Sequence, residues 1–219
     1  RLFAQRRGLR GRGGLAKLAS LIKLQRASRK RVIVAHAGNA ISPSLLSGND
    51  QGASMIDMLN RIGIDVMAFG NHEFDFGAAV AGERAKEARF PILLANVRGT
   101  DGEPIGAAVP TWFYEADGIR IAFIGIARSD LQEVSRPGPI TVEPALALVE
   151  RVAPALRQSG ADMVAVLGAV NDAEERALIN SGLVDLVLGA GERLHATFDG
   201  RTAAAASSRD AEHVILLDL

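Results

Sequence analysis

Four short apolar runs in this chain end in the same way, and no other feature constrains the fold as strongly. VIVAHAGN (32–39), DVMAFGNHEFD (65–75), MVAVLGAVND (163–172) and VDLVLGAGER (184–193) each pass from buried-type residues into glycine and then polar residues. Continuous apolar runs of this length, bounded by turn residues, read as strands covered on both faces. The segments between them carry helical spacing. Leu15, Leu18, Leu21 and Ile22 form one stripe, and Met55, Ile56, Leu59 and Ile62 another. AAVAGERAKEARF (78–90), EPALALVERVAPALRQSG (143–160) and NDAEERALINSG (171–182) read as further helices. In the second of these, Pro144 is placed in the first turn and Pro154 at a point of bending.

PILLANV (91–97) reads as another strand, and SPSLLSGN (42–49) as a loop with turn chemistry. TWFYEA and IRIAFIGIA form a hairpin around Asp117-Gly118, because Asp-Gly between two apolar runs is a strong turn signal. The tail reads as antiparallel strands around Asp199-Gly200. Trp112, Phe113 and Tyr114 alternate along a strand, with a core-facing side. Strands alternating with helices imply α/β layering: two sheets face to face with helices outside. Ligands of open α/β sheets bind beyond the carboxyl ends of the strands, so the four glycine-terminated ends are expected to converge on one site.

Composition removes several function classes. There is no cysteine, which excludes disulfides, thiolate metal sites and thiol catalysis. Lys plus Arg and Asp plus Glu both number 25, for a net charge of zero. A nucleic-acid surface would show as a basic domain, so no nucleic-acid partner is expected. No apolar run approaches the roughly 20 residues of a membrane span. Residues 1–12, RLFAQRRGLRGR, read as a basic, solvated lead-in. No apolar stretch follows their arginines as a signal peptide would require.

The octapeptide GNHEFDFG (70–77) is the most specific stretch. Together with AGNAISPSLLSG, MIDMLNRIGIDVMAFG, FPILLANV and VDLVLGAGERLHATFDGRTA, it resembles the calcineurin-like metallophosphoesterase domain of bacterial 5′-nucleotidases. The resemblance runs from about Gly13 to the end, so residues 13–219 are taken as this domain. It implies a four-layer αββα sandwich with a dinuclear metal site (zinc, manganese or similar) at the strand ends. There a metal-bridging water would attack a nucleotide phosphate ester. Relatives of this kind usually add a C-terminal nucleotide-binding domain, expected here to be absent, and are often periplasmic or secreted. Localisation stays open.

Carried over residue by residue, the resemblance gives a mixed result. Asn71 stands at a ligand position. His72 stands where the family histidine contacts phosphate, and Asp75 where an aspartate orients it. The bridging aspartate is replaced by Asn39. The histidine after the next core strand aligns with Ala169, and the closing Gly-His-x-His with Ala190-Gly191-Glu192-Arg193, so Gly191 and Arg193 replace imidazoles. A first strand with Asp-x-His is not visible before the first helix. Asn39 and Asn71 are then vestigial metal positions, and neutral amides are weak ligands for zinc or manganese. The expectation is a domain without bound cofactor, leaning away from enzyme activity and acting as a scaffold or interaction subunit for a protein partner or larger assembly. The alternative is an active metal-dependent phosphoesterase acting on nucleotide or related monoesters. Arg193, with a guanidinium suited to carboxylate or phosphate, is a candidate anion anchor beside His72. His36 reads as a satisfied strand-end histidine, and His195 and His213 as surface or edge residues.

Overall fold

The structure, a computed structural model, describes residues 13–191, 194–207 and 211–218. The lead-in at 1–12 lies outside them, as do Glu192 and Arg193. In chain order the elements begin with α1 (Leu15–Ser28), β1 (Ala35–His36), α2 (Leu45–Asp50), α3 (Ala53–Ile62) and β2 (Val66–Ala68). A 3₁₀ turn (His72–Phe74) then leads to α4 (Ala78–Glu87), β3 (Ile92–Leu93), β4 (Val97–Gly99), β5 (Thr111–Ala116) and β6 (Ile119–Ala127). The remainder is α5 (Leu131–Val134), β7 (Ile140–Val142), α6 (Ala145–Gln158), β8 (Met163–Ala169), α7 (Asp172–Ser181), β9 (Leu186–Ala190), β10 (His195–Phe198) and β11 (Ala203–Ser207).

Two sheets form the centre. One is β1-β2-β3, all parallel, and the other runs β10-β11-β9-β8-β6-β5. The strand interiors explain the layering. Val66, Ala68 and Leu93 from the first sheet meet Ile121, Phe123, Ala165, Leu167 and Leu186 from the second in a shared core. The opposite face of the first sheet, with Met67, Phe69 and Ile92, packs on Ile22, Ile56, Leu59 and Ala81 of α1, α3 and α4. The opposite face of the second, with Ala122, Ile124, Val164 and Val166, packs on Leu148, Val149 and Leu156 of α6 and Leu178 of α7. Helix, sheet, sheet and helix follow one another, as expected of an αββα sandwich. No helix among the described residues is long and apolar enough to cross a membrane.

The close approach of the sheets is visible at Gly125, where an added Cβ would run into the backbone and side chain of Leu93. The β5–β6 hairpin pairs Ala116 with Ile119 around Asp117 (φ 51°) and Gly118 (φ 81°). Both turn residues are left-handed, as a two-residue turn of the I′ type requires. Gly118→Ala is expected to cost about 1 kcal/mol, measured as a lower urea midpoint. Trp112 and Tyr114 face the inter-sheet core, with Trp112 5.8 Å from the Phe123 ring. Phe113 faces the helical side beneath the Arg120 guanidinium, at 4.2 Å. The three aromatics serve packing on both faces of the strand.

Several local expectations are corrected. SPSLLSGN is not a loop: it contains α2, a short helix closed by a capping box between Ser44 and Ser47. Leu45 on it is 92% exposed, so no apolar stripe betrays the helix. Of the strand expected within 32–39 only Ala35–His36 pairs, and the strand expected over 91–97 splits into β3 and β4. β4 leaves the sheet to pair antiparallel with β7, which sequence reading did not anticipate. Pro144 is the N-cap of α6 rather than part of its first turn, while Pro154 sits inside the helix. In the tail, β10 and β11 pair around Asp199-Gly200 as expected, but 213–218 joins no strand.

Candidate functional site

The segments following β1, β2, β8 and β9 open onto one groove of about 1580 Å³, and Asn39, Asn71, His72, Ala169 and Gly191 all line it. The convergence expected from the glycine-terminated strands is therefore present. A Cβ built on Gly70 would meet the Asn39 side chain and lie 3.0 Å from the Ala169 Cβ, so these three positions touch. Gly38 is as constrained, with φ 97° and the Gly70 nitrogen 2.6 Å from where its Cβ would be. Glycine is needed at both positions for the two loops to cross at this distance.

The polar octapeptide is not a free loop. Its 3₁₀ turn is anchored by Phe74, fully buried and edge-to-face with Phe69 at 6.2 Å. Glu73 is equally buried. Its Oε1 accepts the N–H groups of Ala40 (2.6 Å) and Ile41 (3.2 Å), and its Oε2 those of Asn39 (2.8 Å) and Gly70 (2.6 Å). One carboxylate thereby clamps the loop after β1 to the loop after β2. Sequence reading assigned Glu73 no role. The available signal was its place beside Phe74 in a segment whose other acid, Asp75, already had a partner in His72.

His72 and Asp75 are brought together. His72 Nδ1 lies 2.8 Å from Asp75 Oδ2, which fixes the ring so that Nε2 is left for the groove. Asp75 does not line the groove but sits behind the ring. Its second oxygen accepts from the Ser135 hydroxyl at 3.0 Å, a partner 60 residues away that was not anticipated. Asn39, left-handed at φ 61°, accepts the His72 backbone N–H on its Oδ1 at 3.2 Å. Asn71 is 7% exposed and makes no side-chain hydrogen bond among the described residues.

His36 accepts the Gly38 N–H on Nδ1 at 3.1 Å, in keeping with a satisfied strand-end histidine. Its ring also lines the groove, and burial pushes its pKa down from 6.5 to about 4. His195 on β10 pairs with Glu175 on α7 at 2.9 and 3.0 Å, an edge contact rather than a ligand. His213 is half-buried. Arg128, at the end of β6, also reaches the groove, where Asp130 holds it through an ion pair and raises its pKa. The anion anchor expected at Arg193 lies outside the described residues. Among those residues, no three His, Asp or Glu side chains gather as a metal-binding group.

A layered αββα sandwich with a His–Asp pair and convergent strand ends defines a metallophosphoesterase fold. Comparison with known proteins agrees. A 5′-nucleotidase from the venom of Gloydius brevicauda is 33% identical over 131 residues, 58% of this chain and 22% of that protein. The 5′-nucleotidase of Diplobatis ommata is 29% identical over 160 residues, 71% of this chain and 28% of that protein. A calcineurin-like phosphoesterase of Bacillus subtilis superposes with a TM-score of 0.76 at 19% identity, covering 90% of this chain and 74% of that structure. No family model matches. Over these spans the chain is similar to the calcineurin-like metallophosphoesterase domain of 5′-nucleotidases. It spans roughly a quarter of the length of these curated relatives (22% and 28%).

Proposed function

We propose that this domain no longer hydrolyses phosphate esters and serves as a non-catalytic module of its family, held by a protein partner or a larger assembly. The observation that carries this reading is the fate of the oxygen donors at the strand ends. Two dications need anionic or imidazole ligands to hold them. Here Asn39 takes the place expected of a bridging carboxylate, and its Oδ1 accepts a backbone N–H. Ala169 offers a methyl group, packed toward Gly70, where an imidazole is expected. Glu73, the carboxylate nearest both loops, is fully engaged by four N–H groups. The described residues at these strand ends do not fit a dinuclear metal centre.

A second reading, an active metal-dependent phosphoesterase, draws on the His72–Asp75–Ser135 chain, which leaves His72 oriented as general-acid work requires. Such help contributes about 10²–10⁴-fold, small beside the barrier to phosphate monoester hydrolysis, whose enzymes reach accelerations of about 10²¹-fold. The assay is direct. The protein is incubated with manganese, cobalt or zinc and an aryl phosphate, then with AMP. No turnover by folded protein is expected. Chelator-sensitive turnover that His72→Ala abolishes, or two tightly bound transition metals per chain by elemental analysis, would establish the second reading instead.

A further inference from the structure

Charge is divided unevenly along this chain. Residues 1–49 hold 11 of its 25 Lys and Arg residues and none of its 25 Asp and Glu residues. The remainder therefore sets 14 cations against 25 acids, a division that the net charge of zero conceals. Four of the early cations, Arg26, Arg29, Lys30 and Arg31, lie exposed at the end of α1 and on the approach to β1. Together with Asp65 and Tyr114 they line a second, smaller cavity of about 270 Å³. It sits at the N-terminal ends of β1 and β2, away from the strand ends that open onto the groove. Asp65 is committed there. It takes Arg26 on both oxygens at 2.8 Å and accepts the Val34 N–H at 2.7 Å. The other three cations find their carboxylates at the surface. Arg29 pairs with Asp218, itself 77% exposed, and Lys30 and Arg31 share the turn residue Asp117 at 3.6 and 3.4 Å. Exposed pairs of this kind hold little, because water and salt screen them.

We infer that this cavity is a docking site for an acidic segment of a partner protein, whose carboxylates exchange with Asp117 and Asp218 on Arg29, Lys30 and Arg31. The inference gives the protein partner proposed above its chemistry, and it rests on that reading. Carboxylates are the ligands these cations already take from their own chain, and a guanidinium matches a carboxylate better than a point charge does. The site is concave, so it admits side chains and not a flat bilayer. The acid excess over the rest of the chain repels any broad polyanion, a membrane surface or a nucleic-acid duplex included. A short acidic segment meets the cationic patch without meeting that field.

The test titrates the whole chain into a fluorescein-labelled oligoglutamate peptide and follows anisotropy at about 0.05 M and about 0.5 M salt. Saturable binding at the lower salt, weakened at the higher, is expected. Arg31→Glu is expected to weaken it at least about tenfold, equivalent to roughly 1.4 kcal/mol, with an unchanged urea midpoint. Lys23, exposed on α1, does not line the cavity. Lys23→Glu changes the net charge by the same amount and is expected to leave the affinity within about twofold. Equal losses in the two variants would mean that diffuse charge attracts the peptide, and would overturn the inference. Folded protein that binds no peptide overturns it as well, and so does binding to phosphatidylserine vesicles in place of the peptide. Chelator-sensitive phosphatase turnover with peptide binding intact overturns the proposed function alone.

Discussion

Glu73→Ala is expected to lower the unfolding free energy by about 3–5 kcal/mol, because hydrogen bonds to a buried charged group contribute about 1.5–3 kcal/mol each and orphaned donors add their own penalty. The side chain is fully buried and accepts from Asn39, Ala40, Ile41 and Gly70. Removing it leaves those N–H groups facing one another across a cavity that water can only partly fill. Glu73→Gln is the sharper probe. It preserves volume, but it replaces one accepting oxygen with an NH₂ that must confront two backbone donors, so about 2–3 kcal/mol is expected to go. Unfolding in urea, followed through the fluorescence of Trp112, the chain's one tryptophan, measures both. A Gln variant within 1 kcal/mol of the wild type would mean that the carboxylate's charge does not hold the loops.

This clamp also shows where sequence reading stops. β8, β9 and the β5–β6 hairpin were legible because five to nine consecutive residues in each carry one signal, an apolar run closed by glycine or turned by Asp-Gly. The short elements were not. The helical information in α2 lies in the Ser44–Ser47 capping exchange rather than in periodicity, and the pairing of β4 with β7 joins residues more than forty positions apart through three rungs. At the groove, His72 and Asp75 were legible because they are three residues apart in one motif. Ser135 was not, because tertiary folding alone brings it to Asp75. Glu73 fell between the two cases. Both acids of the octapeptide look equally suited to the surface, and only the burial of Phe74 turns one inward. That buried carboxylate is consistent with a groove whose shape is held by the protein's own hydrogen bonds.

The same groove is expected to make the fold sensitive to mild acid through His36. Burial holds this imidazole at about 4 in the folded protein, against an ordinary 6.5. Between those values the unfolded chain binds a proton that the folded chain refuses. The stabilising difference is therefore complete above pH 6.5, shrinks as pH falls toward 4, and changes no further below. Its full size is about 2–3 kcal/mol, the lower figure reflecting the ring's partial access to the groove. Asp50 and Asp130, held below the usual carboxylate range by hydrogen bonds from Ser54 and Arg128, lose their contributions only at lower pH. His36→Asn keeps an acceptor for the Gly38 N–H and removes the titration. Subtracting the variant's stability from the wild type's at each pH cancels the contributions of the other groups. That difference is expected to decline steadily from pH 7 to pH 4.5 in urea-unfolding measurements. A flat difference would mean that the ring accepts its proton in place rather than being held neutral by burial.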